Sequence, residues 1–324
     1  MVQSFKWMAV GPHNKKADQM TRHTQAQVDE WRNEGAILLD QFLTPDEIKP
    51  CFDDMRALYG KRTPDQMVER KDDHHGQVGT FSMDQFRNNE DMPFDCSPAL
   101  NLLGLSPALI AMAKDALGTD DVRLYQSHTW AKYTGTADYE QPFHCDFKNH
   151  TLTVPSEDAI GRTINFMIYL TDVTENHGAI SYVPLSDSDP ITGPNREMFL
   201  DTDIETQHRL KQVEKRGVGK AGSVFAYGID VYHRGMNLTV PDGCRYTLTA
   251  SYKAAGNDMI GWSAWPHSFM KPWHLLINNA DPEQLACLGI PRPGDPFWTP
   301  RTIERAKLRW PNWNMDPYEH RTRA

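Results

Sequence analysis

Between residues 122 and 254 the sequence breaks into short runs rich in β-branched and aromatic residues, most of them ending at Gly, Pro, Asp or Asn. Five such runs stand out: VRLYQSHTWAKY, RTINFMIYLTDV, GAISYVP, GSVFAYGIDVYH and RYTLTASYKA. Runs of this length and composition are typical of β-strands. The sequence shows no strand–helix alternation, no glycine-rich phosphate loop and no repeat of fixed period, so a parallel α/β fold is not expected. The pattern predicts an all-β core, and a jelly roll fits it.

Helix signals dominate the N-terminal part, residues 24–120. Capping-box patterns at Thr24 and Thr44 open two helices, and a Ser-Pro pair opens a third. The predicted helices begin at Gln25, Pro45 and Pro107 and end before Gly35, at about Gly60 and near Gly118. The run AILLDQF between the first two helices is expected to form a short buried strand. Residues 61–96 are polar and weakly periodic, which favours a lid-like loop.

The last part, residues 255–324, holds six of the nine tryptophans and many prolines. Thr299 and Pro300 predict a short helix that reaches about Trp310. The segment is interpreted as an extension packed over the core with tryptophans as hydrophobic anchors, although a contribution to a substrate pocket or an oligomer interface stays open. All three parts are assigned to a single domain, residues 1–324.

Composition limits the functional classes. The net charge of -9, without any long run of Lys or Arg, makes a nucleic-acid partner unexpected. The five cysteines are scattered and contain no C-x-x-C, which favours reduced thiols. The N-terminus lacks the apolar core of a signal peptide, and no apolar run reaches the roughly 18 residues of a membrane span. A cytoplasmic protein without a membrane partner is therefore expected.

A His-x-Asp triplet in QPFHCDFKNHT offers two metal ligands. Residues i and i+2 of a strand point to the same side, so His144 and Asp146 are expected to face the interior together. His233, at the end of GSVFAYGIDVYH, is the best-placed third ligand. Two histidines and one carboxylate are typical of non-haem Fe(II) oxygenases, whereas zinc more often recruits a third His or a Cys.

Arg245 opens the run RYTLTASYK, twelve residues after His233. If it points inward, Thr247 and Thr249 do so as well, because they share its face of the strand. A buried guanidinium needs an anion, and no nearby acidic residue is an obvious partner. A small dicarboxylate such as 2-oxoglutarate would satisfy Arg245, with Thr247 adding a hydrogen bond. A surface arginine and structural histidines are the competing interpretation.

Five segments occur in the same order as in one known family. They are WRNEGAILLDQFLTPDEI, HCD, LTDVTENHGAISYVPLSD, AGSVFAYGIDVYHRGMNLT and the position of Arg245. Over about residues 24–254 the chain resembles the phytanoyl-CoA dioxygenase family, whose members are Fe(II)- and 2-oxoglutarate-dependent oxygenases. The resemblance implies a mainly β fold with flanking helices around a double-stranded β-helix core of jelly-roll or cupin-like type.

The same resemblance implies a mechanism. Fe(II) would be held by His144, Asp146 and His233, while 2-oxoglutarate would chelate the iron and extend its far carboxylate to Arg245. Reaction with O2 would release succinate and CO2 and oxidise, by default hydroxylate, a C–H bond of a small organic molecule. Halogenation is not expected, since it needs a vacant metal position that Asp146 fills.

Further site residues follow from the resemblance and from strand positions. The stretch YQSHTWAKY resembles ectoine hydroxylases of this family, which makes Gln126 a candidate for hydrogen bonding to oxoglutarate; Asn165 is a second candidate. The substrate candidates are His150, Asn149, Trp130 and Phe147. The family pattern is broken by PLSD in place of PGSH and by Gly235, where some members carry a hydroxyl residue. FKNHTLTVP replaces the ectoine hydroxylase signature that follows the Asp, which argues against ectoine as the substrate.

Two other classes are kept as alternatives. One is a Zn- or Mn-dependent jelly-roll hydrolase or isomerase that works without oxoglutarate, and the other is a non-catalytic binding domain. The sequence indicates neither the identity of the small-molecule substrate nor the oligomeric state.

Overall fold

Two antiparallel β-sheets form the centre of the computed structural model, which describes residues 21–60, 88–135, 140–150, 163–193, 203–256 and 271–319. The strands are β1 Ala36–Leu39, β2 Asn89–Asp91, β3 Val122–Tyr133, β4 Thr163–Tyr169, β5 Ser181–Val183, β6 Lys215–Arg216, β7 Val224–Tyr227, β8 Tyr232–Arg234 and β9 Cys244–Ala254. The larger sheet has the order β1-β7-β4-β9-β3-β2 and the smaller one β6-β5-β8. The predicted double-stranded β-helix with flanking helices is confirmed.

The antiparallel pair β3–β9 is the longest in the large sheet and gives it two chemically different faces. On the outer face of β9 lie Tyr246, Leu248, Ala250 and Tyr252, all part of the main hydrophobic core. The inner face carries the alternate positions, from Arg245 through the two threonines to Ser251. One face therefore stabilises the domain by burial against helices, and the other is left for polar chemistry.

The α-helices span Gln25–Glu34, Pro45–Tyr59, Pro98–Leu103, Pro107–Leu117, Phe147–His150, Leu185–Thr192, Ile204–Gln212, His274–Ile277, Pro282–Cys287, Pro300–Arg309 and Asp316–Glu319. The capping boxes predicted at Thr24 and Thr44 are present, and Gly35 ends the first helix in the left-handed conformation. By length and composition alone, the helical segment Pro98–Leu117 could cross a membrane. However, 67% of its apolar stretch is buried inside the fold, and many of its residues belong to the main hydrophobic core.

The C-terminal extension has a small core of its own. Trp298, Ile303, Met315 and Tyr318 are buried together, and the Trp298 indole donates a hydrogen bond to the carbonyl of Pro291 at 2.9 Å. Other parts of the extension, including Leu276 and Cys287, join the main core. Tryptophan does act as an anchor here, while Trp262 and Trp265 lie outside the described residues.

Three details differ from the sequence predictions. The strands β1 and β2 belong to the large sheet, so the core draws on chain outside 122–254. Of the predicted lid-like loop 61–96, residues 61–87 lie outside the described residues, so the lid stays a prediction; the described remainder contains β2 and a buried Phe94, which the prediction of a loop did not include. The run GSVFAYGIDVYH is two strands in different sheets, because a turn after Tyr227 breaks it.

The burial of the outer face of β9 predicts that a leucine there contributes far more to the free energy of unfolding than an exposed leucine elsewhere. Leu248→Ala removes a fully buried side chain between the sheet and the helices and should lower the free energy of unfolding by about 2–5 kcal/mol. Leu308→Ala, on a helix surface and 76% exposed, should change it by less than about 0.5 kcal/mol. Urea unfolding of both variants is the measurement, and equal effects would contradict the assignment of the outer face to the core.

Candidate metal centre

Two backbone hydrogen bonds bring the predicted histidines together. His144 and His233 form an isolated antiparallel bridge in which each N–H donates to the other's carbonyl oxygen at 3.1 Å. Their imidazole rings lie 4.6 Å apart between centroids. Segments distant in sequence therefore present two ring nitrogens to one point.

Asp146 completes the cluster. One carboxylate oxygen lies 3.7 Å from Nε2 of His144 and the other lies 3.5 Å from Nε2 of His233. One donor atom from each of the three residues lies within 4.8 Å of the others, a separation suitable for a shared metal ion. The prediction that His144 and Asp146 alternate along a regular strand was wrong, since Asp146 sits in a bend before helix Phe147–His150. The bend still directs the carboxylate toward both rings.

The ring orientations suit metal binding. Nδ1 of His144 is 2.9 Å from the carbonyl of Pro142, and Nδ1 of His233 is 3.0 Å from the carbonyl of Val231. A carbonyl only accepts, so each Nδ1 carries the proton and each Nε2 keeps its lone pair. Two imidazole nitrogens and one carboxylate oxygen form a donor set that fits Fe(II), and the cluster meets the chemical requirement for that ion.

The electrostatics keep the third donor ionised. Burial alone would raise the pKa of the Asp146 carboxyl, but the imidazoles of His233, His150 and His144 outweigh that effect and hold the pKa below its usual range. An ionised carboxylate is the form that binds a metal.

A buried ion-pair network supports the strand that carries His233. The next residue, Arg234, is bonded to the carboxylate of Glu214 at 2.8 Å and to that of Glu140 at 2.6 Å. Its guanidinium also lies 4.9 Å from the centre of the Phe143 ring. Arg234 thus connects the strand of one candidate ligand to the segment that precedes the other.

Arg245 lies on the inner face as predicted, together with Thr247 and Thr249. It donates to the carbonyl of Gly178, its Nε is buried without a hydrogen-bond partner, and among the described residues it has no carboxylate partner. Burial lowers the pKa of Arg245 to about 10, partly offset by Tyr169. A buried guanidinium with an unused donor and no carboxylate partner in the described residues is chemically suited to bind an anion.

Lys132 is a second cation that the sequence interpretation missed. It is the register partner of Arg245 across β3 and β9, so both side chains leave the sheet on the inner face. Burial, and then the neighbouring Arg245, lowers the pKa of Lys132 to about 7. No acidic partner of Lys132 occurs in the described ranges. The only sequence signal was its alternation with Trp130, which by itself does not indicate burial of an ammonium group.

Gly235 has a structural explanation. Gln141 accepts a hydrogen bond from the Gly235 N–H at 2.7 Å, and a Cβ at position 235 would stand 2.7 Å from the same amide oxygen. The same Cβ would be 3.6 Å from Nζ of Lys132. The space that a hydroxyl side chain would take is therefore occupied by Gln141 and bordered by a cation.

The other predicted cosubstrate residues spread along the inner face. Thr247 is two residues from Arg245, but Gln126 lies six residues from Lys132 along β3, roughly 20 Å in an extended strand. Gln126 donates to Ser251 at 3.1 Å, and Asn165 is the register partner of that same serine. Their binding of oxoglutarate stays a prediction, and both lie far from the Arg245 end.

Of the predicted substrate residues, three are described in full. His150 is buried and bonded to the Tyr125 hydroxyl, Trp130 donates to Thr249 at 3.1 Å on the inner face, and Phe147 packs against Ile229. The side chain of Asn149 lies outside the described residues. Their contact with a substrate stays a prediction.

The sequence profile of the family described as Phytanoyl-CoA dioxygenase (PhyH) matches residues 31–239, which is more than half of the chain. No match is found among curated proteins. Both ligand-bearing segments, at 144–146 and at 233, fall within the matched range, whereas position 245 lies just beyond it.

Several solved structures have the same fold. SnoK, a non-heme alpha ketoglutarate dependent carbocyclase from nogalamycin biosynthesis, is 18% identical with a TM-score of 0.53, over 76% of this chain and 88% of SnoK. EctD from S. alaskensis, crystallised with 2-oxoglutarate and 5-hydroxyectoine, is 18% identical with a TM-score of 0.53, over 76% and 83%. AviO1 from Streptomyces viridochromogenes Tue57 is 17% identical with a TM-score of 0.51, over 73% and 97%. At these identities the likeness establishes the fold.

The ion-pair network predicts unequal effects for two arginines. Arg234→Leu leaves the Glu214 carboxylate buried with less compensation and should destabilise the protein by about 3–5 kcal/mol. Arg216→Leu removes a more exposed arginine from the same carboxylate, at 2.9 Å, and should cost less than about 1 kcal/mol. Urea unfolding compares the two, and a similar cost for both would refute a special role for Arg234.

Proposed function

The chain belongs to the phytanoyl-CoA dioxygenase family, and from that premise we propose that it is an Fe(II)- and 2-oxoglutarate-dependent dioxygenase that oxidises a C–H bond of a small organic molecule. One observation carries the proposal: a His–Asp–His cluster shares the domain interior with two cations, Arg245 and Lys132, that have no acidic partner in the described ranges. Together they match the two ends of a metal-chelating dicarboxylate.

His144, Asp146 and His233 would hold the iron through Nε2, a carboxylate oxygen and Nε2. When bound, iron and oxoglutarate supply the oxidation: the keto acid and O2 become succinate and CO2, and one oxygen atom is left for the substrate. Because the protein would supply three donors on one side of the iron, the other side would be left free for the keto acid to bind.

Arg245 would bind the far carboxylate of oxoglutarate, and Lys132 would add a second charge to it. The two cations lose hydration when the protein folds, so this free-energy cost lowers the stability of the ligand-free protein. A bound anion would offset that cost, which favours binding. Arg245 is also held by the carbonyl of Gly178, which fixes the guanidinium in place before the anion arrives.

Hydroxylation is the outcome we propose. SnoK shares the fold and is a carbocyclase, so the fold by itself does not select the fate of the oxidised carbon. The protein's part is to decide which C–H bond lies beside the metal and to keep water away from it. Buried groups around the cluster serve the second task; the ring of Tyr227, for example, lies 4.9 Å from that of His233.

The alternative of a Zn- or Mn-dependent hydrolase or isomerase uses the same three metal donors. It has no use for two cations that lack an acidic partner in the described ranges, and it predicts activity without oxoglutarate. The oxygenase proposal accounts for both features of the interior.

The proposal predicts a weak visible charge-transfer band when metal-free protein receives Fe(II) and then 2-oxoglutarate without oxygen. His144→Ala should abolish the band because a metal donor is lost. Arg245→Ala should keep the band but require about 10- to 100-fold more oxoglutarate, the loss expected for a charge-assisted hydrogen-bonding partner.

Arg123→Ala is the matched control, since that arginine pairs with Asp121 at the end of β3 outside the site. It should behave as the wild type. Absence of the band in the wild type, with tight zinc binding in its place, would contradict the oxygenase proposal and favour the hydrolase or isomerase.

The lowered pKa of Lys132 predicts that the affinity for oxoglutarate depends on pH. The pKa of Lys132 is lowered to about 7 in the free protein, so its positive charge is present below that pH and is lost above it. A bound carboxylate raises this pKa again, so the affinity for oxoglutarate should fall from pH 7 to pH 9, by up to about tenfold per pH unit.

Titrations of the band at saturating Fe(II) test this dependence. Lys132→Met should bind oxoglutarate more weakly at pH 7 and lose the dependence. Lys220→Met, which removes an exposed lysine paired with Asp172, should keep the wild-type profile. A profile unchanged in Lys132→Met would remove Lys132 from the cosubstrate site.

A further inference from the structure

A group of polar side chains lies on the inner side of the large sheet, starting four residues from Lys132 along β3 and extending away from it. It consists of Tyr125, His128, His150 and Asn165, here called the imidazole wall. Nδ1 of His150 lies 2.6 Å from the Tyr125 hydroxyl, and that hydroxyl donates to the side-chain amide oxygen Oδ1 of Asn165 at 3.5 Å. His150 ends the short helix Phe147–His150, which begins directly after Asp146, so the wall lies next to the segment that carries a metal donor.

A β-bulge creates this wall. The register of β3 against β9 shifts between Leu124 and Gln126, which leaves Tyr125 as the extra residue. A bulge redirects the side chain at that position. Leu124 belongs to the outer core, whereas the hydroxyl of Tyr125 reaches groups of the inner side.

The wall has hydrogen-bonding capacity that the described protein does not use. Neither ring nitrogen of His128 has a hydrogen-bond partner among the described residues, and its Nδ1 is buried. The Asn165 Nδ2 is also buried without a partner, and Nε2 of His150 has no partner in the described ranges. Buried polar groups in proteins are nearly always bonded, so this concentration indicates that a ligand completes them.

The wall offers donors and acceptors without a net positive charge. Burial, and then His150, lowers the pKa of His128 to about 3, and burial raises the pKa of Tyr125, so both stay neutral. Asn165 can only donate from Nδ2, and the unprotonated ring nitrogen of a neutral His128 can only accept. Hydroxyl groups satisfy both kinds of partner, whereas an ammonium or a carboxylate group satisfies one.

We infer that the imidazole wall binds the substrate, and that the substrate is an uncharged molecule carrying several hydroxyl or carbonyl oxygens. The inference rests on the proposed function for the meaning of "substrate". A fatty acyl chain is excluded, because its methylene groups would cover these polar atoms and leave them unbonded. A dicarboxylate belongs at the other end of the interior, beside Arg245 and Lys132.

Four probes on one carbon skeleton test the inference: naphthalene-2,6-dimethanol, 2,6-dimethylnaphthalene, naphthalene-2,6-dicarboxylate and 2,6-bis(aminomethyl)naphthalene. Equilibrium dialysis against protein holding Fe(II) and 2-oxoglutarate without oxygen gives a dissociation constant for each. The dimethanol should bind at least about tenfold more tightly than the other three, since it alone bonds to donors and acceptors without burying a charge.

Substitutions then locate the binding. His128→Phe should weaken dimethanol binding about 5- to 10-fold and leave the hydrocarbon unchanged, and Tyr125→Phe should act in the same direction. Tyr133→Phe is the matched control, because it removes a hydroxyl from the same strand that is bonded to Tyr246 at 2.8 Å, away from the wall. It should leave all four constants as in the wild type.

Equal or tighter binding of the hydrocarbon or of either charged probe would overturn the inference. Failure of the dimethanol to bind, or an unchanged preference in His128→Phe and Tyr125→Phe, would overturn it as well. The charge-transfer band separates this failure from failure of the proposed function. If the band is absent in the wild type, the dioxygenase proposal falls, and the probe constants on metal-free protein still decide whether the wall binds oxygenated molecules.

Discussion

The candidate site depends on one backbone contact, the reciprocal pair of hydrogen bonds between His144 and His233. Neither histidine lies in the large sheet that stabilises the domain, and the segments carrying them are distant in sequence. The bridge fixes the two rings side by side, the carbonyls of Pro142 and Val231 orient the rings, and a bend brings Asp146 between them. The backbone therefore sets the positions and orientations of the candidate metal-binding side chains.

The antiparallel register of β3 and β9 has a corresponding role for charge. It sets the half-buried Lys132 opposite the buried Arg245, which is unfavourable for folding because two neighbouring cations repel each other and lose hydration. A structure that tolerates this pair is prepared for an anion. Further along the same two strands the charges give way to neutral polar groups, and we propose that this face binds the dicarboxylate at one end and the oxygen-bearing substrate at the other. Stability comes from the opposite, apolar face, and the inner face is left to serve binding.

Features set by neighbouring residues were predictable from the sequence, and features set by pairing were less so. Thr24 and Thr44 cap helices through residues three positions away, and those helices were predicted. The three metal donors and Arg245 were identified from spacing and resemblance. Lys132 was missed because its environment depends on its cross-strand partner, Arg245. The imidazole wall was missed because the β-bulge at Tyr125 depends on how β3 pairs with β9, which the sequence of β3 alone does not reveal. The single run GSVFAYGIDVYH contains no signal strong enough to reveal that its halves belong to different sheets.

The central claim is that 2-oxoglutarate binds at one end to a metal on the His–Asp–His cluster and at the other end to the two neighbouring cations. A crystal structure of the protein grown without oxygen, with Fe(II) and 2-oxoglutarate, tests it most directly. The account predicts iron on His144, Asp146 and His233, with the keto acid on the metal and the far carboxylate bonded to Arg245 and Lys132. Iron at this site with oxoglutarate absent or bound elsewhere, while both cations remain without an anion, would contradict it.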